Sequence, residues 1–315
     1  MNRVINFLFG KPPLDISLAK TETLENCTNC GATLTGSYCS NCGQKKVDKE
    51  DFKVSHFLGE AFHAFTHLDA KFFLTIRNLL QKPGFLTLEF IKGHRKKYMP
   101  PIQLFLVCNI VYFLFATADT FTTPLSIQLS DRFMSLKGRM VSEKLKGTEN
   151  LYKQYEEQFD TLESENAKTL VIIMVPLFAL FFSLMFLGQK RFFIEHLIFC
   201  FHFYCFMLLY ETIGLTLTWL IILLLSLPFF AFSDHFPDHF VEFSKLLTGD
   251  EISTIIVSVV FFTFLFIAIK RVYFQSNFEA FVKAFISVIL FWEIVFGYRD
   301  ILFFTTFYGM KISLH

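Results

Sequence analysis

Charge is scarce in this chain. Asp, Glu, Lys and Arg make up 18% of its 315 residues, against about 25% in an ordinary soluble protein. The formal net charge is only +1, which excludes a globally basic nucleic-acid binder. Sequence signatures of the common enzyme classes are also missing. There is no P-loop, dinucleotide fingerprint, G-x-S-x-G elbow or kinase set, so nucleotide chemistry and serine hydrolysis have no support. No H-E-x-x-H pair is present, which removes hydrolytic zinc chemistry. No inverted repeat of the secondary-transporter kind is visible. A secretory signal is lacking too: the apolar start at residues 4–9 is too short and is broken by Asn6. The first hundred residues are therefore expected to stay in the cytoplasm.

What the chain has in excess is apolar surface. Hydrophobic residues reach 53%, Phe alone numbers 45, and mean hydropathy is +0.46. A soluble globule cannot hide so much, so the expected class is an all-α polytopic membrane protein with a small N-terminal zinc ribbon. Basic charge is concentrated early, with 14 Lys+Arg against 9 Asp+Glu in residues 1–100.

The strongest motif lies in residues 27–46. Cys27 and Cys30 form one C-x2-C pair, Cys39 and Cys42 a second, with eight residues between the pairs. Four thiolates at this spacing suit one tetrahedral Zn2+. Gly31 and Gly43 each follow the second Cys of a pair, where a tight knuckle needs φ > 0. All four ligands are Cys, so no coordination position is left for water, and the metal is expected to be structural. Lys45, Lys46 and Lys49 are offset by Asp48, Glu50 and Asp51. That balance argues against nucleic acid and for a protein partner.

Residues 52–68 carry apolar side chains at helical spacing, with His56, Glu60, His63 and His67 on the other side. These four read as the wet face of a membrane-surface helix, with a second metal site as the alternative. Pro83-Gly84 stops the next helical piece. A cationic cluster, Lys92, Arg95, Lys96 and Lys97, then precedes the first apolar run, with Tyr98 beside it. This is where cytoplasmic anchors sit, in contact with lipid headgroups.

These residues look like a known pattern. A four-cysteine ribbon ending in Cys42-Gly43-Gln44 is followed by Asp69 and Thr75, Pro83-Gly84, and Gly93-His94-Arg95-Lys96-Lys97-Tyr98 before a span. Further on come Glu195-His196, His202 and Arg271-Val272-Tyr273. The order resembles an uncharacterised bacterial membrane-protein family, a domain of unknown function with an N-terminal zinc ribbon. That family's usual pattern has Gly-Lys-Arg where this chain has Gly93-His94-Arg95. The resemblance runs from Cys27 onward and is weakest in 119–168 and near the C-terminus. It implies a bacterial inner-membrane protein and no reaction.

The expected organisation is an N-terminal segment (1–26), the ribbon (27–46), juxtamembrane helices (50–100) and a transmembrane domain (101–315) with an extracytoplasmic loop at 119–168. Apolar runs occupy residues 102–118, 169–188, 192–232, 252–269 and 280–297. The run at 192–232 is too long for one crossing. Two crossings there would leave Lys270 and Arg271 outside, against the positive-inside rule. A single tilted span with a re-entrant piece obeys it. Five or six transmembrane helices are therefore expected.

Ionisable side chains within these runs are costly, about 2.5–3.5 kcal/mol on insertion scales, and are functional candidates. They are Glu195, His196, His202, Glu211 and Glu293. Glu195 and His202, at i and i+7, share a helix face and could relay protons; Lys283 is a candidate partner for Glu293. The simpler alternative places Glu195 and His196 at headgroup level beside Lys190 and Arg191. The Asp234-His235…Asp238-His239 repeat reads as a solvated turn. Three functions remain. The first is a membrane subunit whose zinc ribbon docks a protein partner as scaffold, assembly or regulatory component. The second is a transporter or channel for a small solute, ion or lipid using the Glu and His residues. The third, a membrane enzyme, has no nucleophile or catalytic metal motif to support it. Membrane lipid is an expected partner, and a homo-oligomer is compatible with the sequence.

Overall fold

The computed structural model describes residues 26–46, 71–115, 120–130, 134–145, 149–214 and 250–310, with positions 217, 220 and 224. The helix expected over 52–68, with His56, Glu60, His63 and His67, and the Asp234–His239 repeat lie outside the described residues. The described chain is helical, with no named strand. Helix α1 is Lys71–Gln81 and α2 is Phe85–Ile91. The turn between them is made by Pro83, which cannot continue a helix, and by Gly84 at φ 76°. Helix α3, Pro101–Phe115, opens on a proline, whose missing N–H is no loss in a first turn.

The region expected as a polar loop contains three helices, α4 (Leu125–Ser130), α5 (Met134–Lys144) and α6 (Glu149–Leu170). Through a 3-10 turn at Val171–Ile173, α6 runs straight into α7, Met174–Met185. Helix α8 is Phe193–Leu209 and ends in a π-turn, Tyr210–Gly214. Helix α9 is Asp250–Tyr273, and α10 is Asn277–Gly309. A capping box fixes the start of α10. The Ser276 side chain accepts from the Glu279 N–H, and the Glu279 side chain accepts from the Ser276 N–H. Helix α10 runs well past the expected 280–297 at both ends.

Among the described residues, four helices are long and apolar enough to cross a membrane: Tyr152–Met185, Phe193–Gly214, Ser253–Tyr273 and Asn277–Gly309. Helix α3 is apolar but only 15 residues long, about 22 Å. Length and apolarity thus mark four candidate crossings among the described residues, and the expected count of five or six is not confirmed.

The phenylalanines have a packing role. Between membrane helices there is little hydrophobic drive, and van der Waals fit decides association. Phe178 of α7, Phe203 of α8, Phe261 of α9 and Phe291 of α10 meet at the centre. Ring centroids are 5.4 Å apart for Phe178–Phe203, 5.7 Å for Phe203–Phe291 and 5.3 Å for Phe261–Phe291. The last two pairs stand edge to face, both at 88°, the arrangement that ring quadrupoles favour.

The bundle has two distinct ends. At one lie Gly84, Gly93, Gln189, Arg191, Arg271 and Tyr273. The Arg271 Nη1 donates to the Pro83 carbonyl at 2.6 Å, and Gln189 donates to the Tyr273 carbonyl at 2.9 Å. Lys270 and Arg271 therefore share the end of Lys190 and Arg191. At the other end, Phe303 and Phe307 of α10 pack with Leu125, Val141, Tyr155 and Phe159 in a second small core. Asp300 takes an ion pair from Lys137 there at 2.8 Å.

Candidate metal centre and the polar groups of the bundle

Each half of the ribbon is the same knuckle. In the first, Cys27 N–H donates to the Ala32 carbonyl at 2.7 Å, and Gly31 N–H to the Cys27 carbonyl at 2.8 Å. In the second, Cys39 N–H donates to Gln44 and Gly43 N–H to Cys39, both at 2.8 Å. Gly31 and Gly43 take φ values of 76° and 68°, as a knuckle closed after C-x2-C requires. The two turns bring Cys27, Cys30, Cys39 and Cys42 together, with all four Sγ atoms within 4.8 Å of one another. Cys27–Cys42 and Cys30–Cys39 are 3.6 Å apart. A tetrahedron with bonds of about 2.3 Å has edges of about 3.8 Å, so the donor set fits one tetrahedral thiolate-bound ion.

The electrostatics favour thiolates unequally. The Gln44 backbone N–H holds the Cys42 thiol down to about 6. Cys39 is lowered by the backbone N–H groups of Cys42 and Asn41. Cys30 is drawn down by the Ala32 N–H, but desolvation and the sulfurs of Cys39 and Cys42 outweigh it and push it up to about 11. A divalent cation among the sulfurs removes that mutual opposition, which is how a metal closes such a cluster.

One side of the ribbon is seated on the membrane body through Gln44, which is 3% exposed. Its Nε2 donates to the Gly93 carbonyl at 2.5 Å and to Thr28 Oγ1 at 3.0 Å, and its Oε1 accepts from Arg95 N–H at 3.3 Å. Gln44 thus bonds to Cys39, one of the four clustered cysteines, with its backbone and to the juxtamembrane turn with its side chain. Sequence reasoning noted Gln44 only as part of a motif; its one signal was its place directly after Cys42-Gly43. The ribbon leaves Cys30 exposed and Tyr38 at 64% exposure.

Of the expected headgroup residues, Lys92, Lys96 and Lys97 are exposed. Lys92 pairs with Glu89 at 3.8 Å. The Arg95 guanidinium lies 5.0 Å over the Phe90 ring. Tyr98 departs from expectation: it is buried, edge-on to Phe85, with Lys97 over its ring. Its ring completes the contact between α2 and the bundle and does not face lipid.

The intramembrane residues are not gathered into one site. Glu195 Oε2 accepts from Arg191 Nη1 at 2.8 Å, while Arg191 Nη2 donates to the Val272 carbonyl at 2.6 Å. His196 Nδ1 is hydrogen-bonded to the Tyr273 hydroxyl at 2.9 Å, and His202 Nδ1 to Thr87 Oγ1 at 3.0 Å. Glu195 and His202 therefore do not form a pair. Two turns of helix separate them, and each has a nearer partner from another element. Glu211, in the π-turn, accepts from Thr120 Oγ1 at 3.0 Å. Glu293 faces outward from α10, and Lys283 does not reach it, donating instead to Gln275 Oε1 at 2.6 Å. Thr87 was not singled out by pattern, since a single hydroxyl carries no periodic signal; Thr75 and Tyr273 entered only as motif residues and Arg191 only as a basic rim residue. Thr75 Oγ1 accepts from Met99 N–H at 3.0 Å and ties α1 to the start of α3.

Residues 69–113 match the model of a family described as Protein of unknown function (DUF3667). The matched stretch holds Pro83-Gly84, Gly93-His94-Arg95 and Tyr98. It is narrower than the resemblance suggested, since the ribbon and the later helices fall outside it. No curated protein and no solved structure matches the chain.

Proposed function

We propose that this chain is a non-enzymatic subunit of a membrane complex, whose ribbon holds one structural Zn2+ and docks a protein partner at the cytoplasmic surface. The observation that carries this reading is the mounting of the ribbon. Gln44 clamps the second knuckle to Gly93 and Arg95, and Tyr38, bridged to Lys45 at the edge of that same knuckle, is exposed to solvent. A rigidly held platform with an exposed aromatic residue suits a docking role, because Tyr is a frequent interface anchor. The thiolate-only donor set suits zinc in a structural role.

The orientation follows from charge. Lys92, Arg95, Lys96, Lys97, Lys190, Arg191, Lys270 and Arg271 gather at the ribbon end, as expected of a cytoplasmic face. Counting the short α3, the reading has five crossings, with the ribbon inside and the 125–162 helices outside, in the inner membrane of a bacterium. Use of Glu195 and His202 for transport is the weaker reading, since each is engaged by a separate structural partner.

The test is purification in mild detergent of wild type, Cys27→Ser/Cys42→Ser and Tyr38→Ala, with zinc quantified. One zinc per chain and a stoichiometric protein in wild type, with the protein missing from both variants and zinc missing only from the first, is the expected result. A zinc-loaded wild type with no partner overturns the docking role.

A further inference from the structure

Helix α10 is packed on three sides. Phe291 meets the central rings, Trp292 Nε1 donates to Ser258 Oγ of α9 at 2.9 Å, and the Tyr298 hydroxyl donates to the Ala167 carbonyl of α6 at 3.1 Å. Its remaining side faces out, along Val282, Ile286, Ile289, Glu293, Phe296 and Gly297. All but two of these are the apolar side chains that lipid accepts. The exceptions are Glu293 and Gly297.

Glu293 lies deep in this apolar side. It is ten residues from Lys283, about 15 Å along the axis, and six from Arg299, about 9 Å. Those two cations mark the rims. Lys283 is bonded to Gln275 in the turn before α10, and Arg299 to the Thr120 carbonyl at 2.7 Å. The other acidic residues at membrane depth are turned inward. Glu195 receives Arg191 and Glu211 receives Thr120. Among the described residues none donates to Glu293, which is exposed. A carboxyl group facing hydrocarbon is expensive, and such groups are met by a partner charge. Gly297, one turn on, has nothing within 4 Å of where a side chain would begin. That gap lets another helix backbone come close beside the carboxyl.

We propose that this side of α10 seats a transmembrane helix of a different membrane protein, one carrying a lysine or arginine at mid-depth opposite Glu293. Charge complementarity selects that occupant. Lipid tails offer no donor. A second copy in parallel would bring a like carboxyl to the same height, and its Lys283 and Arg299 would stand about 15 Å and about 9 Å away. The seat uses none of the ribbon's residues and stands whether or not the ribbon has a partner.

The test uses the full chain in phosphatidylcholine vesicles with synthetic leucine-rich transmembrane helices carrying a dansyl group. One helix has a single central lysine, one a central glutamate, and one only leucine. Energy transfer from tryptophan reads binding, and Trp292 adjoins Glu293. Wild type is expected to bind the lysine helix about tenfold more tightly than the leucine helix. Glu293→Leu should lose that preference, and Glu293→Lys should transfer it to the glutamate helix. Equal binding of the three helices by wild type overturns the proposal. So does a preference that survives in Glu293→Leu. Energy transfer between two differently labelled copies of the wild type, abolished by Glu293→Leu, also overturns it, by showing that the seat belongs to a second copy.

Discussion

Gln44→Ala separates the metal site from its seat on the membrane body. The side chain makes two good hydrogen bonds, to the Gly93 carbonyl at 2.5 Å and to Thr28 Oγ1 at 3.0 Å. A third, from Arg95 N–H at 3.3 Å, is shared with the Gly93 carbonyl, which accepts from the same N–H at 2.9 Å. The Thr28 bond lies within the ribbon, so only the Gly93 bond crosses to the membrane body; with the shared third counted as nothing, it contributes about 1 kcal/mol. That is about a fivefold shift in the equilibrium between seated and lifted ribbon. The contact left behind, Thr28 Oγ1 to Gly93 at 3.4 Å, is too long to compensate. Zinc binding should persist, because the four thiols and the backbone bonds of both knuckles are untouched. The assay is hydrogen exchange at residues 90–99 in zinc-loaded protein, read by mass spectrometry beside metal content. Exchange there should rise about fivefold in Gln44→Ala with zinc unchanged. Unchanged exchange with zinc retained would refute the clamp. Loss of zinc would refute the separation of the two roles.

Three further outcomes follow from the packing and the charges. Gly84→Ala must hold an L side chain at φ 76° with its Cβ 3.0 Å from the Ala268 Cα and carbonyl oxygen and from Val272; a loss of about 3 kcal/mol is expected in detergent unfolding, and a loss under about 1 kcal/mol would refute the close approach. Arg191→Leu leaves the Glu195 carboxylate without its donor at a site where the two side chains are 16% and 11% exposed. It should lower stability by about 3 kcal/mol, and Arg191→Leu/Glu195→Leu should recover most of that in the same unfolding assay. For the ribbon, protons compete with the metal for sulfur. Cys42 sits at about 6 and Cys30 at about 11. Metal affinity should therefore rise with pH, falling away steeply below about 6 where Cys42 also takes a proton. Loading at neutral pH should release the Cys30 proton, measured by titration in weak buffer; zinc uptake without proton release there would refute the assignment.

The ribbon was legible because its chemistry is local. Two C-x2-C-G knuckles carry their own ligands, turns and positive-φ glycines within a few residues, so spacing alone specifies the donor set. The spans were legible for a similar reason, since hydrocarbon demands long apolar runs that any hydropathy reading finds. The helical character of 119–168 was largely hidden. Its apolar positions Leu125, Val141, Tyr155 and Phe159 are few, and they make a core only against Phe303 and Phe307, more than a hundred residues later. The pairing of Glu195 with His202 was a reasonable reading of one helix in isolation. It failed because polar groups at membrane depth choose partners from neighbouring helices, and no single-helix wheel contains Arg191's loop or Thr87.

By itself, then, the sequence determined the membrane class, the four-thiol centre and the basic end of the molecule, since each follows from composition or from spacing over a few residues. Tertiary structure decided which end Lys270 and Arg271 occupy, that Gln44 ties the metal centre to Gly93, and that Glu293 is left facing out. Those outcomes depend on which helices lie side by side. That choice is made by the fit of rings such as Phe203, Phe261 and Phe291 across the bundle, which no local pattern records.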